Sequence, residues 1–212
     1  MNIDDTTLDH QIPLLWPEIV TAIFERQREL MVKYKEIEQL PAAPVSLHTA
    51  SGQRVIKDFM WRTVEELTES QEAMYRHDDR DVARRHSLEE LADSVHFIVE
   101  MLIFAGITAE QCCIAGPGIP MIPEVKSLRR PDPTPWFWNV VYALGIAGNF
   151  LRNKAWKVSQ VPTDEGRFRA AALGSWKSML DLWGALGCTQ EDLYTYYFRK
   201  AEVNAFRQRS NY

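Results

Sequence analysis

The chain has 212 residues, 46% hydrophobic and 25% charged, with a formal net charge of -5. That length can bury a core without staples, and the mild acidity argues against a dedicated binder of nucleic-acid backbone, whose surface has to be basic. Three cysteines, Cys112, Cys113 and Cys188, make neither a disulfide framework nor a closed four-cysteine metal site, so a reducing, cytoplasmic setting is expected.

The opening MNIDDTTLDHQIPLL lacks a positive region followed by an apolar run, so no signal peptide is evident. Pro17 stands at a helix-opening position before EIVTAIFERQRELMVKYKEIEQL, whose apolar residues Ile19, Ile23, Leu30 and Tyr34 predict a first helix ending at Pro41. PAAPVSLHTASGQ reads as a loop. A second helix is predicted over 54–76, where Val55, Phe59, Val64, Leu67 and Met74 keep the helical period.

HDDRD interrupts that pattern. Ser87 followed by Glu90 resembles a capping box for a third helix, although residues upstream are also compatible with helix. The third helix ends near Gly106, and Thr108 with Gln111 caps a short one. Its greasiest stretch, VHFIVEMLIFAGI, holds His96 and Glu100 and is too short and too polar to span a bilayer, so no membrane partner is expected.

Segment 112–135 carries Gly116, Gly118 and six prolines, and is expected to be irregular, as a lid or an interface arm. PWFWNVVYALGIAGNFLRNKAWK, GRFRAAALGSWKSMLDLWGALG and TQEDLYTYYFRKAEVNAFRQ then predict three more helices, the last capped by Thr189 and Asp192. No strand-like alternation persists. The expected fold is an all-α helical bundle, one domain over 1–212.

Helix two carries VEELTE and helix three EELAD. A three-residue step returns a helical side chain to within about 60° of its start, so Glu66 and Glu69 share a face, as do Glu90 and Asp93. Packed antiparallel, the two helices bring four carboxylates to one volume, which is unfavourable unless cations neutralise it. Magnesium suits oxygen ligands and phosphate, and manganese can replace it. Either motif alone reads as solvent-facing charge; together they predict a metal centre of Glu66, Glu69, Glu90 and Asp93.

Glu65, Glu66 and Glu69 followed by Glu90 and Asp93 resemble the EExxE…ExxD pattern of the all-α nucleoside triphosphate pyrophosphatases, which include MazG-like enzymes, dimeric dUTPases and the T-even phage dCTP/dUTP pyrophosphatase. ELADSVHF resembles the ELxDxxHF form of the dimeric dUTPase and phage branch. The tail YYFRKAEVNAFRQRSNY resembles that branch's closing motif and maps its basic, Asn and Arg positions onto Lys200, Asn204 and Arg207.

GNFLRNKAWK resembles a further basic segment, in which Arg152, Lys154 and Lys157 are expected to meet phosphate oxygens. ERQRELM resembles the branch's QxxLN element. Gln27 keeps the glutamine that lies at the base end of the pocket, and Met31 replaces the asparagine. Phe24, Trp61 and Phe97 are candidates for an apolar wall, each also readable as core, and His96 is expected to be structural, bonded to a polar neighbour.

The resemblance implies a cytoplasmic homodimer, in the host cytoplasm if phage-encoded, with Tyr196, Tyr197 and Phe198 readable equally as interface contacts or as packing within one chain. It implies magnesium-dependent hydrolysis of dUTP to dUMP and pyrophosphate by water activated at the metal. The alternatives are dCTP, both nucleotides, or another base. A helical oligomer without activity is disfavoured because all four acids are present. Replacing Glu69 or Asp93 is expected to relieve repulsion and abolish turnover.

Overall fold

The structure is a computed structural model that describes residues 12–13, 15–76, 78–114, 132–152, 154 and 161–209. Seven helices lie among them: α1 Trp16–Glu38, α2 Ala50–Arg76, α3 Arg80–Phe104, α4 Ala109–Ile114, α5 Thr134–Phe150, α6 Glu165–Ala185 and α7 Gln190–Arg209. No strand occurs among the described residues. The chain is all-α, as its periodicity predicts.

Helices α2 and α3 form the central antiparallel hairpin. Phe59 stacks on Phe104 at 5.2 Å between ring centroids, and at the closed end the Ser70 hydroxyl donates to the Ser87 carbonyl at 2.7 Å. The register between these contacts puts Glu66 opposite Glu90 and Asp93.

Helix three starts a full two turns before the expected cap. Asp79 is the N-cap, its carboxylate accepting from the backbone N–H groups of Asp81 and Val82. Ser87 is instead a buried mid-helix residue whose hydroxyl meets that of Ser70 at 3.0 Å. A local capping pattern was outweighed by tertiary packing.

Helix α2 begins at Ala50, four residues before the expected start. The Thr49 hydroxyl accepts from the Gly52 backbone N–H at 3.1 Å, and a Cβ at Gly52 would lie 2.1 Å from the Ser46 carbonyl oxygen. The first turn therefore packs against its own entry loop through a position only glycine can fill. Gly106, at φ 69°, turns the chain out of α3.

Helices α5 and α6 make a second hairpin. The Thr134 hydroxyl lies 3.3 Å from that of Tyr75, and Gly148 sits against Met60, so α5 runs antiparallel to α2. Two expectations change at its margins. Residues 112–114 belong to α4 and Thr134 to α5, so the expected irregularity does not hold at either end of 112–135; the remainder of that expectation falls on residues 115–131, which lie outside the described residues. Helix α5 also stops at Phe150, with Leu151 extended, so Arg152 and Lys154 are not helical.

Helix α7 closes the bundle on α1 and α3. Thr189 and Asp192 form its expected reciprocal cap, with backbone bonds of 2.8 and 3.1 Å. Arg26 of α1 pairs with Glu202 at 2.6 Å. Tyr197 and Phe198 are buried within the chain, and Tyr196 tilts against Trp183. Tyr197 and Phe198 therefore take the second of their two expected roles, packing within one chain.

Candidate active site

The antiparallel register of α2 and α3 decides which acids meet. One carboxylate oxygen from each of Glu66, Glu69 and Glu90 lies within 4.8 Å of the others, close enough to share a cation. Glu65, next in sequence, points elsewhere and accepts from the Trp61 indole N–H at 2.8 Å. Burial, then the charges of Asp93, Glu69 and Glu90, push the Glu66 carboxyl up to about 8. That is the electrostatic tension a bound cation relieves, so the donor set fits an oxygen-seeking divalent ion.

Asp93 is held differently. Lys200 of α7 places its Nζ 2.6 Å from Asp93 Oδ2 and 3.8 Å from Glu90 Oε2, and Asn204 bonds Asp93 as well. Burial alone would lower the Lys200 ammonium, yet Asp93 and Glu90 outweigh it and raise it, so the lysine stays charged. His86 meets the other oxygen of Glu90 at 3.1 Å. The four predicted acids are thus brought to one region, three as a cation-sized cluster and the fourth bridged to the tail.

Two predicted tail residues, Lys200 and Asn204, join the acids; Arg207 is exposed near the end of α7. Arg152 and Lys154 are half-buried. Lys154 lies close enough to Lys57 to lower its ammonium, after burial. Lys57 is about 13 Å along α2 from Glu66 at the helical rise, so this basic pair sits apart from the acids within one chain. Lys157 lies outside the described residues.

Beneath the acids lies a second polar cluster. Gln27 Oε1 accepts from the Tyr197 hydroxyl at 2.6 Å and from His96 Nδ1 at 2.7 Å, and the His96 and Tyr197 rings stack at 4.1 Å. Burial drives the His96 imidazole down to about 3, so it is neutral, and its Nε2 is buried without a partner. Gln27 also bonds Glu100, whose carboxyl burial pushes up to about 8.

His96 is therefore bonded to a polar neighbour, as expected. Glu100 joins this cluster without having been expected at the site; a lone acid in an apolar run, one turn after His96, is its visible signal in the sequence. Phe24 is fully buried, Phe97 is half-buried beneath Arg62, and Trp61 is 61% exposed. These three occupy different environments. Met31 is buried and lines, with Arg28, Lys35 and Ile107, an apolar cavity of about 530 Å³.

An all-α bundle that gathers carboxylates from two antiparallel helices and sets a buried lysine against them has the makings of a nucleotide-hydrolysing enzyme. The dUTPase family model matches residues 20–212, and the chain belongs to that family. It is accordingly a nucleoside triphosphate pyrophosphatase of the dUTP diphosphatase kind. No curated protein and no solved structure matches the chain. No helix among the described residues is long and apolar enough to cross a membrane.

Proposed function

We propose that the chain hydrolyses dUTP to dUMP and pyrophosphate with magnesium, dCTP being the second reading because Met31 removes an amide from the base end. The observation that carries it is the convergence of Glu66, Glu69 and Glu90 beside the Asp93–Lys200 pair. Glu66, Glu69, Glu90 and Asp93 would hold the ion, which when bound supplies charge for the triphosphate and Lewis acidity at phosphorus.

Around it, the residues of the chain divide the work. Lys200 and Asn204 meet Asp93 in this structure, and both can turn donors to phosphate or sugar oxygens. A carboxylate of the cluster, Glu66 or Glu69, orients the attacking water and takes its proton. Arg207, Arg152, Lys154 and Lys157 complete the phosphate contacts, and Gln27 stands at the base. The enzyme works as a homodimer in the cytoplasm.

The deciding experiment measures kcat/KM with magnesium for dUTP, dCTP, dTTP, dATP, dGTP and UTP and identifies the products. Preference for dUTP with pyrophosphate release is expected. Preference for dCTP selects the second reading, and release of orthophosphate instead of pyrophosphate overturns the reaction.

A further inference from the structure

Gln27, His96, Tyr197 and Glu100 are each at least nine-tenths buried and join α1, α3 and α7 through one carboxamide. In the arrangement observed, the Gln27 oxygen receives two hydrogen bonds and its nitrogen faces Glu100. The amide nitrogen carries a second N–H besides the one towards Glu100. A carboxamide can also turn by half a revolution and exchange oxygen for nitrogen, provided each partner can reverse its role.

Every partner here can. The Tyr197 hydroxyl lies 3.1 Å from the Ile23 carbonyl, so it can donate there and accept from the amide instead. His96 is neutral, so its proton can move from Nδ1 to Nε2 and leave Nδ1 free to accept. A protonated Glu100 can donate as readily as it accepts. Inversion therefore conserves the hydrogen bonds of the network.

We propose that this network makes Gln27 an invertible reading group, which offers an N–H to a pyrimidine with a 4-keto group and a carbonyl oxygen to one with a 4-amino group. The inference rests on the proposed function, in which Gln27 stands at the base. It assigns Glu100 as a positioning residue that sets the balance between the two orientations, and it lets one site take both dUTP and dCTP.

The balance carries a pH signature. Glu100 is faced by Gln27 and Glu38 from α1, Arg62 from α2 and Tyr197 from α7, with burial as the main influence and a carboxyl titrating at about 8. Once ionised it only accepts, which holds the Gln27 nitrogen towards it and leaves an N–H for the base. The 4-amino pyrimidine then loses its acceptor, so selectivity moves towards dUTP as pH rises.

The test compares kcat/KM for dCTP and dUTP in the wild type and in Glu100→Gln, from about pH 7 to about pH 9. The wild-type ratio of dCTP to dUTP is expected to fall about tenfold, one hydrogen bond's worth of discrimination, and in Glu100→Gln it is expected to stay flat. A wild-type ratio independent of pH overturns the inference whatever the variant does, as does an equal fall in the variant. Absence of pyrophosphate release from both nucleotides would instead defeat the functional reading, which separates the two failures.

Discussion

Lys200 Nζ rests 2.6 Å from Asp93 Oδ2, with the lysine side chain only 11% exposed. This contact divides four acids that look equivalent in sequence. Burial raises the Asp93 carboxyl as well, with Lys200 and Asn204 offsetting it only in part, whereas at Glu66 burial and the neighbouring carboxylates push the same way. What differs is the group left behind: neutralising Asp93 strands the buried Lys200 ammonium, and neutralising Glu66 strands no cation in contact with it.

For Asp93→Asn we expect loss of turnover together with a loss of metal-free stability of about 1–3 kcal/mol, because Lys200 is left buried with only the more distant Glu90. Chemical denaturation in chelator measures it. Unchanged or raised stability would mean that repulsion dominates at Asp93 too, as its sequence context alone suggests.

For Glu66→Gln the sign reverses. The folded-state value of about 8 lies above the ordinary 4.5, so charging this carboxyl costs stability from the lower value upwards, fully so beyond about 8. Metal-free stability should fall across that window as pH rises. Discounted for partial exposure, the variant should gain about 1–2 kcal/mol at its upper end. It should also lose activity. Melting curves at a series of pH values, without metal, decide the point.

Magnesium should raise the melting temperature of the wild type and restore activity after chelation, manganese serving in its place. Glu90→Gln should blunt both responses. Activity that survives exhaustive chelation would remove the metal from the reaction and leave the acidic cluster as surface charge.

Much of this was legible in the chain. Three-residue spacing put Glu66 with Glu69 and Glu90 with Asp93, and the apolar periods made antiparallel packing the economical arrangement. What sequence could not supply was register and competition. Ser87 looks like a cap until Ser70 claims it; Asp79, nearer the break in the pattern, does the capping. Nothing local pairs Lys200 with Asp93 or gathers Gln27, His96 and Tyr197, since those meetings depend on how α1, α3 and α7 cross.

Gly52→Ala tests the α2 entry. A Cβ there would overlap the Ser46 carbonyl oxygen, a backbone atom that cannot rotate away, so the loop must shift. We expect a loss of about 2–4 kcal/mol, read by denaturant unfolding. A variant as stable as the wild type would show that the loop gives way at little cost.

The last expectation concerns assembly. Helix α5 is apolar on several sides yet leaves Trp138 64% and Tyr142 70% exposed, and a Cβ added at Gly145 would meet nothing within 4 Å. Such a face is costly to leave in water. Within one chain, moreover, Lys154 lies beside Lys57 and apart from the acids. A dimer resolves both difficulties if the α5 region of one copy covers its partner and presents Arg152 and Lys154 to the partner's carboxylates. Light scattering at micromolar protein should then give twice the chain mass, and Trp138→Ala with Tyr142→Ala should shift it towards the monomer. Mixing Glu66→Gln protein with Lys154→Ala protein should restore activity that neither has alone, because one of the two sites in the mixed dimer is intact. A monomeric wild type with full activity would refute the shared site; a dimer without complementation would leave assembly standing and return the basic segment to its own chain.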